Sequence, residues 1–280
     1  MTMARNKVFT FWEPKENVPG YIRLCMKTWE KNLEGYETVV LDYGNLGEYL
    51  SADEIAAVLD KSMTFAMQSD CIRCAVLRRN GGIWLDADTV LTQPLDVRFS
   101  AAETTMIANR NDGRFANYGA FINASKPGAK FLDAWYEELV KHVSKAREFR
   151  KSFLKQLLRR REWRNIRRWD WCVNAIIDPL ADRWLKDGTA AKGLYAYVDK
   201  QTIGALPEED LTDGGDLDRA LAYIKYWFEP GDPADATKNC AGILMLHNSW
   251  TPAKFLAMSE SDFAASDTRL AALIREQLAK

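Results

Sequence analysis

Apolar residues recur along this chain in two rhythms: short runs that suit strands, and three-to-four-residue spacings that suit helices. Residues 7–12 (KVFTFW) predict a first strand. Pro19 then opens a helix with Ile22, Met26 and Trp29 on one face. Residues 37–42 predict a second strand, and Ser51 with Glu54 three positions on forms a capping box for a helix to about Asp60. A longer helix is expected over 64–79, closed by Asn80-Gly81. The stretch 81–88 (GGIWLDAD) reads as a short buried strand that follows at once. Strands are expected at 105–109, 118–123, 194–198 and 241–247. Helices are expected from Pro127 to about Lys145, over 171–186, and from about Asp267 to the end. Strands alternating with helices predict an α/β fold, a mixed sheet flanked by helices.

Length and composition narrow this picture. The 280 residues suffice for a full core, and no Pro/Gly/Ser-rich linker divides them, so one domain over 1–280 is expected. The longest apolar run, 242–246, is far short of the ~18 residues that suggest a membrane span. Residues 1–6 lack the apolar stretch of a secretory signal, and an odd five cysteines suit free thiols in a cytoplasmic protein. Cys71 and Cys74 form a lone C-x-x-C inside a helix and read as buried thiols.

Charge is distributed unevenly. Residues 145–168 hold eleven Lys/Arg against two acids, a net +9, while the whole chain is −1. A basic helical insertion is expected at about 145–169, with Phe149, Phe153, Leu157 and Leu158 on one face. Such a segment suits an anionic partner, either a membrane surface on its inner face or an anionic acceptor. No nucleic-acid motif accompanies the charge, so nucleic acid is not expected.

The chemistry concentrates in Asp86-Ala87-Asp88. On a continued strand Trp84, Asp86 and Asp88 would share a face, and two carboxylates so placed repel unless a cation sits between them. Mg²⁺ or Mn²⁺ suits oxygen ligands and tolerates one imidazole, which His247 at the end of a late strand could supply. Asp88 is the better candidate for direct coordination, with Asp86 acting through water or on sugar hydroxyls. Open α/β sheets bind ligands beyond the carboxyl ends of their strands, where this pair falls. A phosphohydrolase reading stays open, with Asp86 as nucleophile and Asp88 as general acid, although Asp213-Gly214-Gly215-Asp216 imitates its later acidic cluster poorly. A non-catalytic carbohydrate- or lipid-binding protein on the same fold is a third.

Ser69-Asp70-Cys71-Ile72-Arg73, followed by Asp86 sixteen residues after Asp70, resembles the sugar-binding region of DXD-type GT-A glycosyltransferases related to capsular polysaccharide synthesis enzymes. The resemblance is strongest over 65–90. It extends more weakly to Phe11-Trp12-Glu13-Pro14, to the helix after Pro19 and to Leu246-His247-Asn248-Ser249-Trp250. It implies a GT-A, Rossmann-like sheet and Mn²⁺- or Mg²⁺-dependent transfer of a sugar from a UDP- or GDP-linked donor. The acceptor would be a glycan or glycolipid of a bacterial surface polysaccharide, and anomeric configuration would be retained. It implies sugar and nucleotide contacts for Asp70 and Arg73, a nucleotide-site wall for Trp84, donor binding for Phe11 and base stacking for Trp12. Gly119 and Ala120 correspond to small residues beside the donor sugar, and Asn117, Asp170 and Asn174 are candidates near the sugar or acceptor. His247, Ser249 and Trp250 are candidates at the metal or the diphosphate.

Overall fold

A computed structural model describes residues 6–111, 114–200, 212, 214–238 and 240–280. The readings of residues 1–5 and of Asp213 lie outside the described residues. The main sheet has six strands in the order β2-β1-β3-β6-β5-β7. They are β1 (Asn6–Phe11), β2 (Tyr36–Leu41), β3 (Gly82–Leu85), β5 (Thr104–Asn111), β6 (Arg114–Ala124) and β7 (Tyr195–Asp199). Strand β1 runs parallel to β2 and β3, β6 is antiparallel to β3 and β5, and β7 is parallel to β5. A separate antiparallel pair, β4 (Thr89–Leu91) with β8 (Ile243–Met245), sets Thr89 opposite Met245.

Both faces of the main sheet are covered, which explains its run of buried apolar residues. Phe9, Trp84, Met106 and Ile122 pack with α4 (Phe65–Asn80), α5 (Lys130–Arg150) and α8 (Asn174–Lys186). Val8, Ile83, Leu85, Ile107 and Phe121 face the other way, toward Trp29 of α1 (Gly20–Asn32). Helices α2 (Leu46–Tyr49) and α3 (Ala52–Val58) follow β2, and the capping box at Ser51 and Glu54 is formed. Beyond β7 the chain adds α9 (Asp216–Phe228), α10 (Ala234–Thr237), α11 (Ala253–Leu256), α12 (Glu260–Ala265) and α13 (Arg269–Ala279). Several of these build a second core around Tyr21, Trp227, Phe263 and Leu273.

The turn from α4 into β3 requires its glycines. Gly81 and Gly82 have φ of 68° and 95°, and a Cβ on Gly82 would stand 2.5 Å from the Lys7 carbonyl oxygen. This tight entry sets β3 directly beside β1.

Three expectations need correction. The strand ends at Leu85, and Asp86-Ala87-Asp88 is a turn closed by the Thr89 N–H on the Asp86 carbonyl at 2.9 Å, so strand alternation does not set the directions of the two aspartates. The late strand is shorter than 241–247 and pairs with β4 outside the main sheet. The basic segment is not one helix: α5 runs to Arg150, and α6 (Phe153–Leu158) and α7 (Arg160–Ile166) follow as separate short pieces. Phe149 is buried while Phe153, Leu157 and Leu158 are exposed, so the four do not share a face. The break at Ser152, which caps α6, re-aims the chain between them. All five cysteines are free, and Cys71 and Cys74 are fully buried, as expected.

Candidate functional site

The site is assembled from the carboxyl ends of β1 and β3, the α4 helix, the start of β4 and the chain after β8. Three contacts hold β4 in place. The Trp29 indole N–H donates to the Thr89 carbonyl at 2.7 Å. The Leu91 N–H donates to the Thr28 hydroxyl at 2.9 Å, and Asn32 donates to the Leu91 carbonyl at 3.1 Å. On the other side, the Asp86 N–H donates to the Ala120 carbonyl of β6 at 2.9 Å.

At the centre, the Arg73 guanidinium stands 3.0 Å from both the Asp70 and the Asp86 carboxylates. The Asp70–Arg73 pair is not a surface i,i+3 bridge of small effect, because both side chains are buried. Breaking it would leave a charge uncompensated, at a cost of about 3–5 kcal/mol. Arg73 also lies over the Trp84 ring, 5.2 Å from its centre, and its Nε has no hydrogen-bond partner among the described residues. The Trp84 indole N–H donates to Asp86 at 2.9 Å. Trp84 is 0 % exposed, so instead of walling an open nucleotide site it holds Asp86 from within the core.

Asp88 is held differently. One carboxylate oxygen accepts the Asn248 N–H at 2.8 Å, and the Asp88 carbonyl accepts the Leu246 N–H. Pairing of β4 with β8 therefore brings His247 to Asp88. The His247 ring packs 4.3 Å from Trp250 and 5.7 Å from Tyr223. Burial pushes the Asp88 carboxyl up to about 7, with neighbouring Asp86 adding to the rise and Asn248 and His247 opposing it. Burial likewise raises Asp70 to about 7, against the pull of Arg73 and with Asp86 and Asp170 adding. Two carboxyls with raised pKa thus flank Asp86, and one of them, Asp70, shares Arg73 with it.

Asp170 belongs to this group. It is buried, acts on Asp70, and is bound by Arg168 through Nε at 2.9 Å. Asn117 and Asn174 are committed elsewhere. The Asn117 backbone and side-chain N–H groups donate to Asp178 at 2.8 and 2.9 Å, and Tyr195 donates to its amide oxygen. The Asn174 amide donates to the Asn117 carbonyl at 2.7 Å and also to Asp178. Gly119 is constrained by the protein itself, since a Cβ there would collide with the Arg73 guanidinium and crowd Val173. Ala120 is half-buried next to it.

Phe11 is buried against Tyr43, whereas Trp12 is half-exposed at the end of β1. Ser249 is exposed, and Trp250 is half-buried on Tyr223. The three groups put forward as metal ligands, Asp86, Asp88 and His247, do not form a ready cluster. Among the described residues no set of three His, Cys, Asp or Glu side chains could hold a metal.

Several contributors lie outside the motifs. Tyr21 donates to the Asn248 side chain and meets Thr251 at 3.1 Å, fixing the loop whose N–H binds Asp88. Near Trp12, the Tyr43 hydroxyl donates to Gln68 and the Tyr43 N–H to Glu13. Arg168 counts in the sequence as one cation of the basic segment, and only its contact with Asp170 marks it. Tyr21 carries no sequence signal beyond its place on an apolar helix face.

The fold and site are thus a mixed α/β sheet with an acidic, arginine-centred cluster at its strand ends. Residues 2–165 match the family described as Capsular polysaccharide synthesis protein, and the chain belongs to that family. No curated protein matches the chain. Among solved structures, the PaToxG glycosyltransferase is similar at 12% identity, over 97% of this chain and 87% of that one, with a TM-score of 0.41. Two structures titled as a transferase, one a mutant form, are similar at 12% and 14% identity. Each match spans 48% of this chain and 77% of the other, with TM-scores of 0.30 and 0.26. Likeness at these values carries nothing into the reading of the site.

Proposed function

We propose that this protein is a glycosyltransferase that moves a sugar from a UDP- or GDP-linked donor to a glycan or glycolipid acceptor, with Mn²⁺ or Mg²⁺ and with retention of configuration. The observation that carries this reading is the Asp70–Arg73–Asp86 chain, buried at Asp70 and Arg73, beside Asp88 at the carboxyl ends of the parallel strands.

The Asp86 and Asp88 oxygens are of the type a hard divalent cation takes, but they and His247 are not gathered as a site, so the donor's diphosphate would have to complete the ligand set. Asp88 keeps a carboxylate that burial and Asp86 make reluctant to ionise, and a cation would relieve both effects. Asp88 would hold the ion directly and Asp86 would support it, with His247 toward the diphosphate. Bound there, the ion would neutralise charge developing on the leaving diphosphate.

The protein's own groups do the rest. Arg73, fixed by two carboxylates and Trp84, presents a preorganised positive charge to the donor. Asp70 and Asp86 accept sugar hydroxyls, and Trp12 offers a face to the base. In a retaining transfer, the bond from the anomeric carbon to the diphosphate breaks as the acceptor oxygen bonds on the same face. The acceptor proton passes to the departing diphosphate, so no second carboxylate base is needed.

Calorimetry with UDP- and GDP-sugars tests the reading. Donor binding should require Mn²⁺ or Mg²⁺, and Asp88→Asn should reduce transfer by about 10³-fold while the fold is kept, a loss on the scale of a removed electrostatic group. Equal donor binding with and without metal, or near-normal transfer by the variant, would remove the metal assignment.

A further inference from the structure

The six-residue helix α6 shows most of its apolar side chains to solvent. Phe153 is 78% exposed, Leu154 63%, Leu157 43% and Leu158 73%. By contrast Phe149, just before it, is buried and stacked on Trp163. An exposed apolar cluster of this kind marks an interaction surface.

The surrounding charge is uncompensated. Glu148 is taken by Lys155 at 3.2 Å, and Glu162 by Lys145 and Arg159. Arg160, Arg161, Arg164 and Arg167 are exposed and form no ion pair among the described residues. A shallow concavity lined by Leu158, Arg159, Arg160, Arg161, Glu162 and Asn165 joins the apolar and basic parts.

We propose that α6 and α7 dock this protein on an anionic bilayer surface, the α6 side chains entering the acyl boundary and the α7 arginines meeting lipid phosphates. Charge complementarity selects this occupant. A second copy placing the same face here would set Arg160, Arg161, Arg164 and Arg167 against their own counterparts. Nucleic acid would gain nothing from four bulky aliphatic and aromatic groups thrust between it and the cations. No described helix is long and apolar enough to cross a membrane. The module leads within a few residues to Arg168 and Asp170, which stand beside Asp70. Resting on the proposed transfer, the acceptor is one carried in that bilayer.

The test is co-sedimentation with phosphatidylcholine vesicles, with and without phosphatidylglycerol, with donor calorimetry and melting curves in parallel. The protein should sediment with the anionic vesicles only, and less as salt rises. Arg160→Gln, Arg161→Gln and Arg164→Gln together should lower partitioning about 100-fold, roughly fivefold for each cation lost. Leu154→Ser with Leu158→Ser should lower it about tenfold, with melting and donor binding unchanged in both variants. Equal sedimentation with neutral vesicles, or none with either, overturns the proposal. So does a leucine variant that abolishes self-association in sedimentation velocity but leaves vesicle binding intact, which would assign the face to a second copy. Because donor binding is read separately, loss of docking and loss of the transfer reading are distinguishable.

Discussion

Arg73 is the side chain around which the others are arranged. It neutralises Asp70 and Asp86 at once, and Gly119 exists as glycine because the guanidinium lies where a Cβ would be. Gly119→Ala should displace Arg73, lower stability by about 1–3 kcal/mol and weaken donor binding about tenfold or more. Urea melts and donor calorimetry check this, and an alanine variant with unchanged donor affinity would show that Arg73 can step aside. The sequence marks Asp70, Arg73, Asp86, Asp88 and Gly119 by type and spacing. It does not show that Gly119 makes room for Arg73, because that contact joins residues 46 positions apart. For the same reason Asn117, a candidate near the sugar or acceptor in the sequence, proves to be tied to Asp178 and Tyr195.

Helix α4 and strand β3 were readable from their caps: Thr64 at one end, Gly81 at the other, Gly82 at the crossing. The turn at Asp86-Ala87-Asp88 was not, because nothing local ends the apolar alternation there. The strand stops where β1 and β6 no longer pair with it. What holds the next segment is α1. The Thr28 hydroxyl accepts the Leu91 N–H and donates to the Cys25 carbonyl, all of it buried. Thr28→Val keeps the shape but orphans a buried N–H on β4, and should cost about 1–3 kcal/mol. Because β4 carries Asp88 at its entrance, the same variant should also loosen donor binding. Denaturation together with calorimetry reads both effects, and a valine variant as stable as the parent would show that water satisfies that group.

Across the whole molecule, acidity and stability are linked by the same buried carboxyls. Asp70 and Asp88 are raised from the ordinary 3.8 to about 7. A carboxyl raised in the fold binds its proton more tightly there than in the unfolded chain, so ionising it works against folding. Their contribution is most favourable below about pH 4, declines as pH rises through about 7, and is constant above that. Each amounts to a few kcal/mol at most. Asp70→Asn removes one such group. Its stability relative to the parent should therefore increase between about pH 5 and about pH 8 in chelator-containing buffer, even as donor binding is lost. A difference that does not change with pH in urea melts would mean that Asp70 stays ionised throughout.

The sequence alone determined the alternation of elements, the doubly covered sheet, the paired aspartates and the Asp70/Arg73 helix before them. These follow from local periodicity, caps and glycine turns, and the family resemblance of residues 65–90 rests on the same short stretch. Only the tertiary structure decided what each group does. Trp84 became a buried donor to Asp86, β4 with β8 brought Asn248 and His247 to Asp88, and a broken basic segment divided its apolar residues between core and solvent. Those outcomes depend on contacts between distant residues and on burial, which set both charge state and partner. A linear pattern carries neither.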